Sequence, residues 1–159
     1  MAIPSERYPV VIDLLNQQTL KKSIHDLYEI FGGYRKIDLS PTQPSEAEDL
    51  PDLLQIRGHL IETSFEALTA KDLLDYFYLA VDHIGDADDL RHFLPKLLEL
   101  IAEGDRKRLN PAHLPSLLKS AGATEWPSRE RSAIASFARA AAEAGVIPDR
   151  VAAKILRIV

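Results

Sequence analysis

The sequence contains no cysteine among its 159 residues. Disulfide bonds, thiolate zinc sites and cysteine nucleophiles are therefore excluded, and the fold depends on packing alone. Long hydrophobic runs are also missing, since none approaches the roughly 18 apolar residues that a membrane span needs. The N-terminal segment has no basic region followed by a long apolar run, so we predict no signal peptide and no membrane association, and we expect a cytoplasmic protein.

Motifs for nucleotide binding and for serine hydrolysis are absent too. No serine lies in a Gly-x-Ser-x-Gly elbow. Gly32-Gly33 lacks the surrounding glycine spacing of a phosphate-binding or dinucleotide-binding loop. We therefore predict no nucleotide cofactor.

The composition is that of an ordinary globular protein, with 46% apolar and 27% charged residues. The length fits one domain. We predict a single all-α domain over residues 1–159, with about six or seven helices in an antiparallel bundle or a short HEAT-like stack. No repeat of fixed period separates these two arrangements. Residues 34–50 are predicted to be loop-rich, because two prolines lie there among Ser, Thr and Asp.

Apolar spacing of three and four residues predicts a first helix over 17–31, capped by Asn16 or Thr19 and ended by Gly32-Gly33. Upstream, the β-branched run 10–12 could form a short strand, although three residues do not decide it.

Segment 51–62 is ambiguous, since Pro51 suits a helix start whereas Gly58 weakens the middle, and we predict a short helix there. Apolar spacing predicts a well-marked helix over 70–84. Thr69 and Asp72 have the spacing of a capping box at the start of this helix. The next helix is predicted to kink or restart at Pro95, which lacks a backbone donor.

The densest group of ionisable side chains lies between these two helices: Asp82, Asp86, Asp88, Asp89 and His92. Asp88 and Asp89 precede His92 by four and three residues, so either pair can share a helix face. Such groups could ligate a divalent ion or polarise a water, which makes a metal-dependent enzyme the alternative hypothesis. Helix capping and the helix dipole explain most of the carboxylates, however. We therefore predict no metal, no cofactor and no catalytic residue, and an acidic face for a partner.

Charge is strongly segregated along the chain. Residues 38–105 carry 16 acidic and four basic residues, a net charge of −12, whereas residues 106–159 carry a net charge of +6. The acidic region opposes broad binding to nucleic acid and favours a basic protein partner. We predict a non-catalytic protein-binding module, in its most concrete form an acidic immunity-type inhibitor of a basic bacterial toxin domain. Head-to-tail self-association of the two charged regions, as a homo-oligomeric scaffold, is a further alternative.

Three aromatic residues are candidate anchors for such a partner: Tyr76, Tyr78 and Trp126. The two tyrosines flank the apolar face of the predicted helix 70–84. Trp126 precedes Pro127 where a helix begins, and either packs in the core or forms a binding hot spot.

One block of sequence resembles a family of small uncharacterised bacterial proteins. It consists of Leu68–Leu73 followed by Gly-Asp-Ala-Asp-Asp-Leu-Arg-His-Phe-Leu-Pro at 85–95 and Glu99-Leu100. Flanking pieces resemble it as well, namely Leu27-Tyr28 to Phe31 with Tyr34, and Trp126-Pro127 with Glu130-Arg131. The family often has cysteines between the first helix and this block, whereas residues 35–67 have none. The resemblance implies a bacterial origin and an α-helical fold, and no reaction.

Overall fold

The computed structural model describes residues 8–34, 51–76, 87–104 and 109–159. These residues contain seven α-helices and no strand, so the predicted all-α fold class is confirmed. The helices are α1 Tyr8–Phe31, α2 Pro51–Glu62, α3 Ala70–Asp75, α4 Ala87–Ala102, α5 Leu114–Ser120, α6 Ser128–Glu143 and α7 Asp149–Leu156. Of the predicted loop-rich segment 34–50, only Tyr34 belongs to the described residues, and the rest lies outside them.

Helix α1 begins at Tyr8, well before the predicted start at residue 17. Residues 10–12 are helical, because the strand preference of three β-branched residues is weak and context decides it. The predicted caps are both wrong, since these side chains lie inside the helix. Thr19 donates from its hydroxyl to the Leu15 carbonyl at 3.0 Å. Asn16 donates from its side-chain amide to the Glu143 carbonyl at 3.1 Å and so ties α1 to α6.

The start of α3 is the capping box that the sequence predicts. The Asp72 backbone N–H donates to the Thr69 hydroxyl, and the Asp72 carboxylate accepts from the Thr69 backbone N–H at 2.9 Å. His59 of α2 also contacts this carboxylate, at 2.8 Å. The first N–H groups of a helix have no partner within it, and the box satisfies donors at this helix start locally.

Helix α4 continues through Pro95 from Ala87 to Ala102 without the predicted restart. Pro95 removes one backbone hydrogen bond, but the helix carries fully buried Leu94 and Leu98 on either side of it. Packing on both sides of the proline therefore outweighs the lost bond.

Helix α1 packs against α4 and α6, and α7 packs against both α5 and α6. Buried alanines such as Ala138 and Ala141 let the neighbours of α6 approach closely. Gly145, just after the end of α6, has a φ of 71°, a left-handed conformation that favours glycine. Among the described helices, none has the length and hydrophobicity to cross a membrane.

Candidate functional site

A cavity of about 460 Å³ lies where α1, the turn Phe65–Ala67 and α4 meet. The residues that line it are Tyr28, Phe31, Gly32, Phe65, Glu66, His92 and Pro95. The volume lies within the range of small-ligand sites. Three of the seven lining residues are aromatic, and His92 and Glu66 add an imidazole and a carboxylate.

His92 holds a fixed orientation at this wall. Its Nδ1 donates a hydrogen bond to the Tyr34 carbonyl just beyond the end of α1. Because a carbonyl only accepts, Nδ1 carries the proton, and Nε2 of the neutral ring keeps an acceptor lone pair. The Phe65 ring contacts the imidazole edge-on, with centroids 5.0 Å apart and planes at 71°.

Acidification is expected to destabilise the protein through His92. Burial lowers the pKa of His92 below its ordinary value, although the hydrogen bond to the Tyr34 carbonyl acts in the opposite direction. On acidification below about pH 6.5, the unfolded chain therefore binds this proton before the folded protein does. The free energy of unfolding should fall from about pH 6.5 down to the lowered pKa, and urea denaturation over a pH series measures it.

The variant His92→Gln should have a smaller slope of stability against pH in this window than the wild type. His25→Gln is the matched control, because its imidazole is 70% exposed on the surface of α1. Equal slopes for the wild type and His92→Gln would contradict the prediction.

Tyr28 also lines the cavity and donates a hydrogen bond to the Glu99 carboxylate. Burial raises the pKa of the Tyr28 hydroxyl well above its ordinary value, and the hydrogen bond to Glu99 and the charges of Glu103 and Glu66 add to this effect. Tyr28 therefore stays a protonated donor. Lys96 lies 3.4 Å from the Glu99 carboxylate and neutralises part of the negative charge beside the ring.

Arg91, which precedes His92 in α4, lies in a polar cluster with Glu130 of α6. Its guanidinium covers the Trp126 ring at 4.7 Å and the Tyr34 ring at 5.2 Å. The Glu130 carboxylate lies 3.4 Å from Arg91 Nε and accepts a hydrogen bond from the Tyr34 hydroxyl. Both charged side chains are largely buried, with 17% and 8% exposed. The cluster therefore fixes Tyr34, whose carbonyl in turn holds His92.

The structure locates part of the predicted acidic face. Asp82 and Asp86 lie outside the described residues, and Asp88 and Asp89 lie in the first turn of α4 with their side chains outside that description. His92 is therefore the one member of the group whose surroundings are described.

The predicted aromatic anchors are placed differently from one another. Tyr76 is fully buried and Trp126 is 3% exposed, so both are core residues in this structure and neither forms a surface anchor. Tyr76 packs on Phe93, with ring centroids 5.0 Å apart. Tyr78 lies outside the described residues.

Within the described ranges, no three His, Asp or Glu side chains are grouped so that they could hold a metal ion. Comparisons with protein-family models, with curated proteins and with solved structures give no match. The resemblance noted from the sequence therefore stays a prediction.

Proposed function

We propose that the protein is a non-catalytic binding module whose acidic central region binds a basic protein partner. In its most concrete form it is a cytoplasmic, immunity-type inhibitor of a basic bacterial toxin domain. The observation that carries the proposal is the net charge of −12 over residues 38–105. Opposite charges accelerate association and reject partners of the same sign.

The three basic side chains of this region whose contacts are described are each paired with a carboxylate. Lys71 pairs with Asp75 at 2.6 Å, and Lys96 pairs with Glu99 at 3.4 Å. Arg91 is largely buried against Glu130. Meanwhile Glu62, Glu66 and Glu103 are exposed. The excess of carboxylates therefore remains available to attract a basic surface.

The test begins with capture from the native host at low salt, followed by kinetics with the purified basic protein. We expect the association rate constant to fall by about tenfold or more when the salt is raised to about 0.5 M. The triple variant Asp86→Asn, Asp88→Asn, Asp89→Asn should associate more slowly, while asparagine at position 86 keeps the capacity to cap a helix.

For the immunity form, co-expression with the partner should relieve the growth inhibition that the partner causes.

The matched control neutralises three exposed acidic residues outside the acidic region, in Glu125→Gln, Glu143→Gln and Asp149→Asn. This variant has the same net charge as the first triple variant and should associate at nearly the wild-type rate. The acidic-face mechanism would be excluded if the association rate constant changed neither with salt nor on neutralisation of Asp86, Asp88 and Asp89.

A further inference from the structure

The cavity beside His92 has walls that meet nearly at right angles. The Tyr28 and Phe65 rings have centroids 6.0 Å apart and an interplanar angle of 81°. His92 makes a similar angle of 71° with Phe65. Phe93, which is buried, stacks nearly parallel to Phe65 and supports it from the core. Phe65 itself is half-buried and forms part of the cavity wall. Rings at such angles offer several negative π surfaces to one bound group.

The charges around this cavity favour a cation. Glu66 lines the cavity and is exposed. Glu99 is bonded to the Tyr28 hydroxyl, and the charge of Glu103 also reaches that hydroxyl. Lys96 is the one basic side chain with a described contact to this group, and it lies against Glu99 and the Glu66 carbonyl. Because His92 is neutral, the three carboxylates exceed the one ammonium, and an anionic ligand would be repelled.

We propose that this cavity is an aromatic cage that binds an organic cation, namely a guanidinium or alkylammonium group on a short apolar stem, between Tyr28, Phe65 and His92. Cations of this kind are attracted to the faces of aromatic rings, and more strongly where water is partly excluded. Phe31 and Pro95, which are both buried, complete the apolar wall behind the stem. The negative charge of Glu66 attracts the cation but does not attract a neutral ligand of the same shape.

The cation can come from a free amine or from a basic side chain of a partner. In the second case the inference deepens the proposed function and rests on it, because the partner is then the basic protein that the acidic region attracts. In the first case it stands independently of that function. The chemistry of the bound group is the same in both cases.

The test is titration of the full-length protein with n-butylguanidinium, followed by NMR of the His92 imidazole and the Tyr28 ring. The uncharged n-butylurea has nearly the same shape and is the matched control ligand, and pentanoate is the anionic control. We expect n-butylguanidinium to bind about three- to thirtyfold more tightly than n-butylurea, with pentanoate weakest. Equal binding of the first two ligands, or no shift of the His92 and Tyr28 signals with any ligand, would overturn the proposal.

Two variants locate the binding. Phe65→Leu keeps an apolar wall but removes a ring face, and Glu66→Gln removes only the charge at the rim. Each should weaken n-butylguanidinium binding severalfold and leave n-butylurea nearly unchanged. Glu62→Gln, an exposed carboxylate that does not line the cavity, should have no effect. Because Glu66 is exposed, Glu66→Gln should fold normally, and an unchanged affinity in it would count against the cage.

A pair of blocked tripeptides separates the two sources of the cation. One is Gly-Arg-Gly, and the other has citrulline, the uncharged analogue of arginine, at its centre. Tighter binding of the arginine peptide than of free n-butylguanidinium assigns the cage to a side chain of a partner. Binding of the free ligand alone assigns it to a small amine. If the cage binds guanidinium but partner association ignores salt, the proposed function fails while the cage stands.

Discussion

Replacing Glu130 with alanine is expected to lower the free energy of unfolding by about 3–5 kcal/mol. The substitution leaves the largely buried Arg91 guanidinium without its carboxylate and removes the acceptor for the Tyr34 hydroxyl. A buried charge that loses its counter-ion costs far more than the pair itself contributes. The loss would be a large part of the total stability of a domain this size. Urea denaturation followed by circular dichroism measures it.

A double-mutant cycle separates the interaction energy of the Arg91–Glu130 pair from the contributions of the two side chains taken singly. The variant with both Arg91→Met and Glu130→Met should lose much less than the sum of the single losses, because no charge is then buried alone. Glu143→Ala is the control, since Glu143 is an exposed carboxylate of the same helix as Glu130. Additive losses across the cycle would contradict a coupled pair.

The Glu130 cluster also marks the limit of what sequence reasoning could find. Helix positions follow from local spacing, and so does the Thr69 capping box, because three- and four-residue periods determine which side chains share a face. The contacts of the site join distant residues instead. Tyr28 reaches Glu99 across 71 positions, and Tyr34 reaches Glu130 across 96. No spacing rule covers such separations.

One prediction from the sequence, the resemblance to a bacterial family, involves these residues but assigned them no role. Tyr28, Tyr34, Glu99 and Glu130 all stand in the separate segments for which that resemblance was predicted, and the structure pairs Tyr28 with Glu99 and Tyr34 with Glu130. Phe65 does not belong to these segments. It lies in a short turn between α2 and α3, where apolar periodicity does not apply. The prediction of an acidic face at 82–92 included His92, but it did not foresee the aromatic cavity that His92 lines.

Replacing Trp126 with alanine is expected to lower the free energy of unfolding by about 3–5 kcal/mol. The indole is 3% exposed and meets the Phe31 ring edge-on at 6.1 Å. It also lies under the Arg91 guanidinium at 4.7 Å, so its removal leaves a cavity and strips one contact from the buried charge. Trp126→Phe keeps part of the volume and should cost much less. The transition is followed by circular dichroism, because Trp126 is the only tryptophan.

The control for Trp126 is Leu14→Ala, which truncates an apolar side chain that is 60% exposed and should change stability by less than about 0.5 kcal/mol. In the wild type, the buried indole should change its fluorescence on unfolding and keep its emission when a partner binds at the surface. A Trp126→Ala variant of wild-type stability but weakened partner binding would require an exposed indole. Because Trp126 packs between Phe31 and Arg91, we expect Trp126→Ala to lower the free energy of unfolding and not to weaken partner binding while the protein stays folded.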